Sequence, residues 1–174
     1  MGRWDHGWPE PVKAWSRGLL AAYLVVLVWV VLFTLSFDPV GVVRDYRSRS
    51  LNLLPFAGFS WAHGGELVSH VVAFVPLGLL LGVVLPRAAM WRKVALACLL
   101  SLALETTQYV LATGTTDVTD VISNTLGAFL GVAVYDMAAR HGPLRALDRV
   151  IVVAGTVLLV AVVLLPVLVL RVRY

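Results

Sequence analysis

The chain reads as an all-α integral membrane protein of five transmembrane helices, with the N-terminus cytoplasmic, the C-terminus outside and a polar hairpin of the third and fourth helices at the centre. Three observations carry this. The 174 residues are 60% hydrophobic and 14% charged, with a mean hydropathy of +0.88, whereas a soluble domain carries about 25% charged residues. Five apolar runs, at 19–37, 67–85, 94–112, 121–139 and 150–170, approach the ~20 residues that cross a bilayer. Basic residues gather in the connections between these runs. Nine of them (Arg3, Lys13, Arg17, Arg87, Arg92, Lys93, Arg140, Arg145 and Arg149) fall on one side and five (Arg44, Arg47, Arg49, Arg171 and Arg173) on the other. The excess marks the cytoplasmic face, and it places the tip of the hairpin outside.

In chain order, residues 1–18 form a tail with Trp4, Trp8 and Trp15 among charges and prolines, suited to the cytoplasmic interface where Trp is favoured. The run 19–37 is apolar all round. It is too long for a signal-peptide core and lacks a small-x-small cleavage site, so it reads as a retained packing helix. The longest connection follows. Its Arg44, Arg47 and Arg49 could hold phosphate or another anion, or simply meet solvent and lipid headgroups. Residues 51–61 are apolar and aromatic but too short to span, which suits an interfacial or re-entrant segment; Asn52 and Pro55 stop it from extending a helix.

The run 67–85 carries His70 near one end, Pro76 in its interior and the close-packing pair Gly78-xxx-Gly82. Residues 90–93, with Trp91, read as a short basic turn. The last run, 150–170, is Val- and Leu-rich without an ionisable group and reads as a lipid-facing or packing helix. The organisation is thus a tail (1–18), a four-helix membrane domain (19–139) and a fifth helix.

The hairpin 94–139 holds the polar groups. Ser101, Glu105, Gln108 and Ala112 are spaced 4, 3 and 4 apart, within an arc of roughly 60° on a helix. Asp117, Asp120, Asn124, Gly127 and Gly131 are spaced 3, 4, 3 and 4 apart, within roughly 80°. A short loop makes the two helices antiparallel neighbours, and Gly127-xxx-Gly131 permits close backbone approach. An ionisable group at membrane depth costs about 2.5–3.5 kcal/mol on insertion scales, so Glu105 requires a reason. Capping and the helix dipole account for Asp117 and Asp120. They do not account for Asn124, which needs a partner across the bundle. His70 is either a hydrogen-bonded packing residue or a member of the Glu105 cluster, as proton acceptor or ligand.

Composition also excludes. A single cysteine, Cys98, rules out a disulfide framework and a Cys-based metal motif. The net charge of +4 is explained by membrane orientation and points to no nucleic-acid partner. There is no Ser-His-Asp order, no HExxH, no Gly-rich phosphate loop and no repeat. No catalytic residue, metal or cofactor is therefore assigned. The candidate site is His70, Glu105, Gln108, Asp117, Asp120 and Asn124. Such a set could hold a divalent cation, sugar hydroxyls or a lipid headgroup, or serve only as interhelical glue.

Four segments resemble the VanZ-like family of bacterial membrane proteins. Asn52-Leu53-Leu54-Pro55-Phe56 is similar to the family's NxxPF segment, and Phe74-Val75-Pro76-Leu77-Gly78 to its F-x-P-L-G helix. Ser101 with Glu105-x-x-Gln108 is similar to its S-x-x-x-E-x-x-Q helix. Asp117-x-x-Asp120-x-x-x-Asn124-Thr125-x-Gly127-x-x-x-Gly131 is similar to its closing acidic and glycine motif. The four occur in the family's order over about half the chain. Two positions depart: His70 stands where the family usually has Asn, and Gly114-Thr115-Thr116 where a basic residue commonly precedes the first Asp.

The resemblance implies a multi-pass protein of the bacterial cytoplasmic membrane with a cell-envelope role, linked to resistance to teicoplanin, a glycopeptide antibiotic. Its partners would be the bilayer and an envelope lipid, glycan or glycopeptide held in an outer-leaflet polar pocket; a homo-oligomer stays open. Two alternatives stand beside this reading. One is a membrane-embedded enzyme acting on a lipid-linked envelope substrate, with Glu105 or His70 as general base. The other is a small proton-coupled carrier using Glu105, for which five helices are few.

Overall fold

The structure, a computed structural model, describes residues 10–33, 51–56, 64–111, 116–141 and 143–172. Its five helices are α1 (Glu10–Phe33), α2 (Gly64–Val84), α3 (Met90–Leu111), α4 (Val118–His141) and α5 (Leu144–Val172). Each is long and apolar enough to cross a membrane. Two-residue strands, β1 (Leu51–Asn52) and β2 (Thr116–Asp117), pair in parallel, with Leu51 opposite Thr116 and Asn52 opposite Asp117. The chain is a multi-pass membrane protein. Its outward apolar side chains, such as Val25, Leu99, Val110 and Val157, suit a lipid environment, where no hydrophobic penalty attaches to them.

The helix boundaries have local causes. Asp117 precedes α4 and its Oδ1 accepts the Thr119 N–H at 2.7 Å, which satisfies one of the amides left over at a helix start. Asp120 lies in the first turn, and Arg140 and His141 in the last, so both ends complement the helix dipole. Pro143 fits the start of α5, where a missing N–H costs nothing; its carbonyl accepts from Ala146 and Leu147. Pro86 follows the end of α2 and disfavours helix in the residue before it.

The most extensive helix contact is between α2 and α4. Gly78 on α2 and Gly127 and Gly131 on α4 let the two helix backbones meet, and Gly82 makes room for the Tyr135 side chain. A Cβ at Gly78 would collide with the Ala128 carbonyl oxygen, one at Gly127 with that of Val71, and one at Gly131 with that of Val75. At Gly82 it would collide with the Tyr135 ring. Tyr23 on α1 donates its hydroxyl to the Ala73 carbonyl at 2.6 Å, beside the turn where Pro76 removes a helix hydrogen bond. Leu27 and Val31 of α1, Phe74, Leu77 and Leu81 of α2, Ala97 and Leu104 of α3 and Ala128 of α4 form one buried apolar cluster. It separates a polar layer at the β-ladder end from a second at the opposite end.

The structure corrects the reading of 90–93 as a turn. The turn is 86–89, and α3 already begins at Met90. Lys93 is only 1% exposed, because Asp136 of α4 receives its ammonium group at 3.2 Å. The first helix likewise begins nine residues before the apolar run, at Glu10, so part of the tail is helical. Of the segment 51–61, the described part is β1 and a turn ending at Phe56. Phe56 takes φ 59°, a costly backbone for a bulky residue, and its N–H is held by Thr119 Oγ1 at 3.0 Å. Residues 57–61 lie outside the described residues, as do Arg44, Arg47 and Arg49.

Candidate functional site

At the β-ladder end, side chains from three helices and both strands meet. Asn124, fully buried on α4, lies between α2 and α3. Its Nδ2 donates to Ser101 Oγ at 2.8 Å, and its Oδ1 is 3.1 Å from His70 Nδ1. With the amide in this orientation, Oδ1 accepts and Nδ1 carries the hydrogen. The other imidazole nitrogen, Nε2, then faces Asp120 Oδ1 at 3.7 Å, beyond hydrogen-bond length.

A second chain of contacts starts at Glu105, which is 3% exposed. Its Oε2 accepts the Asp117 N–H at 3.2 Å, and its backbone carbonyl accepts the Thr116 hydroxyl at 3.2 Å. The acid on α3 therefore grips the strand that leads into α4. Asp117 in turn accepts Asn52 Nδ2 at 2.9 Å through Oδ2, while Oδ1 caps α4. Gln108, one turn from Glu105 and 4% exposed, donates its Nε2 to the Val31 carbonyl at 3.1 Å and ties α1 to the assembly.

All six candidate residues thus lie at this end. His70, Asn124 and Asp120 form one contact group and Glu105 and Asp117 another, while Gln108 reaches α1. Among the described residues, no group of three His, Cys, Asp or Glu side chains is placed to hold a metal ion. The chemistry on offer is hydrogen bonding: two buried amides, one imidazole and three carboxyl groups that exceed the single basic group among them.

The VanZ/LLP1 family model matches residues 20–139, which include every member of this network. The chain belongs to the VanZ-like family. It is also 45% identical over 148 residues to "Protein VanZ" of Enterococcus faecium, covering 85% of this chain and 90% of that protein. No solved structure matches it.

Four contributors to this VanZ-like network stand outside the candidate set expected from sequence: Ser101, Asn52, Thr119 and Thr116, whose hydroxyl meets the Glu105 carbonyl. Ser101 falls on the Glu105 face and was legible from spacing. Asn52 reads from sequence as a helix breaker and as the first residue of the NxxPF-like segment, without a partner, and Thr119 carries no signal, because their contacts depend on the β1–β2 pairing. A second polar group was also missed. At the opposite end Tyr135, fully buried, donates its hydroxyl to Asp148 Oδ1 of α5 at 2.9 Å. The Lys93 ammonium lies 5.6 Å from the Tyr135 ring centre and pairs with Asp136. An antiparallel hairpin brings the start of α3 beside the end of α4, so a cation at 93 and an acid at 136 are at one level; that was the available signal.

Proposed function

We propose that this VanZ-like chain is a non-enzymatic protein of the bacterial cytoplasmic membrane that lowers susceptibility to a glycopeptide of the teicoplanin type. In this reading the N-terminus is cytoplasmic, the β-ladder end lies at the outer leaflet, and the polar network there binds an envelope lipid, glycan or the drug. The observation that carries the reading is the network itself. Residues from the NxxPF segment, the S-x-x-x-E-x-x-Q helix and the closing acidic motif, together with His70, come together at one end of the bundle. Buried polar groups at membrane depth are functional sites by default. The identity to Protein VanZ over most of both chains supports transfer of the envelope role.

Hydroxyl-rich or amine-bearing ligands suit this chemistry. Carboxylates and amide oxygens accept from hydroxyl and ammonium donors, and the excess of acids over bases favours a cationic or neutral group over an anion.

The test is teicoplanin susceptibility of a sensitive bacterium expressing wild type, Glu105→Gln or Asp120→Asn, with membrane levels matched by blot. Wild type should raise the inhibitory concentration severalfold, and each variant should lose most of that gain at equal abundance. If wild type confers nothing, the resistance role does not extend to this member. If the variants protect as well as wild type, the network is interhelical glue and the ligand site is elsewhere.

A further inference from the structure

Residues 51–56, at the β-ladder end, carry four large apolar side chains in six positions, with Asn52 and Pro55 as the other two and no charge. Leu51, Leu53, Leu54 and Phe56 are each more than half exposed. One exposed apolar residue needs no reason, but four on a single short loop do. The loop is not at liberty to turn them inward, because its backbone is pinned. β1 pairs with β2, and Asn52 Nδ2 donates to Asp117 Oδ2 at 2.9 Å. The Leu54 N–H donates to Asn52 Oδ1 at 3.2 Å, and the Phe56 N–H to Thr119 Oγ1 at 3.0 Å. Phe56 holds a left-handed backbone, φ 59°, which a bulky side chain resists, so its surroundings impose the outward display.

The same bonds set the level of the loop. The membrane-capable span of α4 begins at Val118 and that of α3 ends at Leu111. Thr119, which holds Phe56, is the second residue of α4. The loop is therefore level with the ends of the spans and does not project beyond them. Glu105 of α3 holds β2, and β2 holds β1. On α3 the exposed apolar surface runs up to this level through Tyr109, Val110 and Leu111, and Tyr is a residue that gathers at headgroup depth. The loop thus extends the lipid-facing surface of the helices. It does so at the depth where interfacial elements bury apolar side chains between headgroups and acyl chains.

We propose that residues 51–56 are a membrane-interface anchor, with Leu53, Leu54 and Phe56 sunk into the leaflet at the β-ladder end. The occupant of this surface is the bilayer itself. Asn52, inside the same loop, belongs to the polar network, so the anchor fixes that network at headgroup depth. The proposal holds for either orientation of the chain and is independent of what the network binds.

The full chain, carrying Cys98→Ala and a spin label on Leu53→Cys or Leu54→Cys, is reconstituted in phosphatidylcholine vesicles. Relaxation of the label by oxygen, which concentrates among acyl chains, is compared with relaxation by a water-soluble nickel chelate. A label on Val110→Cys gives the lipid reference, and labelled free cysteine in buffer gives the water reference. Both loop labels should favour oxygen over nickel severalfold relative to free cysteine, as the Val110 label does. A nickel response like that of free cysteine puts the loop in water and overturns the proposal. A weak response to both reagents means that protein, from this chain or a second copy, covers the loop, and it overturns the proposal as well.

A second measurement needs no substitution. Wild type in the same vesicles is irradiated with a phosphatidylcholine bearing a diazirine near the headgroup end of one acyl chain, or with a water-soluble diazirine. Peptide fragmentation should find the lipid adduct within residues 51–56 and no adduct from the soluble reagent there. Labelling by the soluble reagent alone, or by neither, overturns the anchor.

Discussion

Asn124 joins three helices through one amide. It donates to Ser101 on α3 and accepts from His70 on α2. Asn124→Leu should strand both partners, at a cost of about 1–3 kcal/mol each where no water replaces the amide. Interhelical hydrogen bonds in membranes couple more weakly than that, about 0.6 kcal/mol on average and up to about 1.7. A double-mutant cycle on Asn124→Leu and Ser101→Ala, read from unfolding in detergent, should therefore give a coupling of about 1 kcal/mol. Zero coupling would mean that the two side chains do not share a hydrogen bond. Asn124's need for a partner was legible from sequence, because an amide inside an apolar run cannot be left unsatisfied. Which groups supply it was not. Residue spacing fixes the face of a helix but not how that face is turned toward its neighbours.

At the scale of elements, α2 and α4 pack backbone to backbone, and Gly78, Gly127 and Gly131 are the reason, while Gly82 admits the Tyr135 ring. Gly131→Leu has no flexible neighbour to displace, only the Val75 carbonyl and the α2 backbone. It should destabilise by at least the ~1–3 kcal/mol of an overpacked core, and abundance in the membrane should fall accordingly. Gly155→Ala on α5 meets only the tip of Leu19, at 3.3 Å, and should change thermal stability by a degree or so at most, on the order of the ±0.5 kcal/mol of a surface substitution. The glycine spacing was legible because close approach leaves a four-residue signature. The start of α3 was not. A lysine at position 93 argues for a loop until the acid across the hairpin is seen to neutralise it.

For the whole molecule, polar layers at both ends flank an apolar middle, and the described residues hold five helices able to span a membrane. If all five cross, the two termini lie on opposite sides, and the orientation proposed above, from the Lys and Arg excess, has the N-terminus in the cytoplasm. A reporter active only in the cytoplasm should work when fused before residue 1 and fail after residue 174; a reporter active only outside should do the reverse. Reversal of both would move the polar network to the inner leaflet and remove it from the path of an external drug. The apolar runs declare the spans from sequence alone. The β1–β2 ladder declares itself nowhere, since two residues of strand leave no periodicity to detect.

That ladder imposes an order on biogenesis. Asn52 and Asp117 are 65 positions apart, and two complete helices lie between them. As the chain emerges from the ribosome, Asn52 is made well before Asp117. Meanwhile α2 and α3 must enter the bilayer with His70 and Glu105 still lacking Asn124 and Asp117. Gln108 of α3 can reach the Val31 carbonyl of α1 beforehand, but the bonds of Asn124 and Asp117 wait for α4 and its leading strand. Until then the unfinished chain displays an acid and an imidazole within the membrane, the form that a membrane protease or insertase can tell apart from the finished protein.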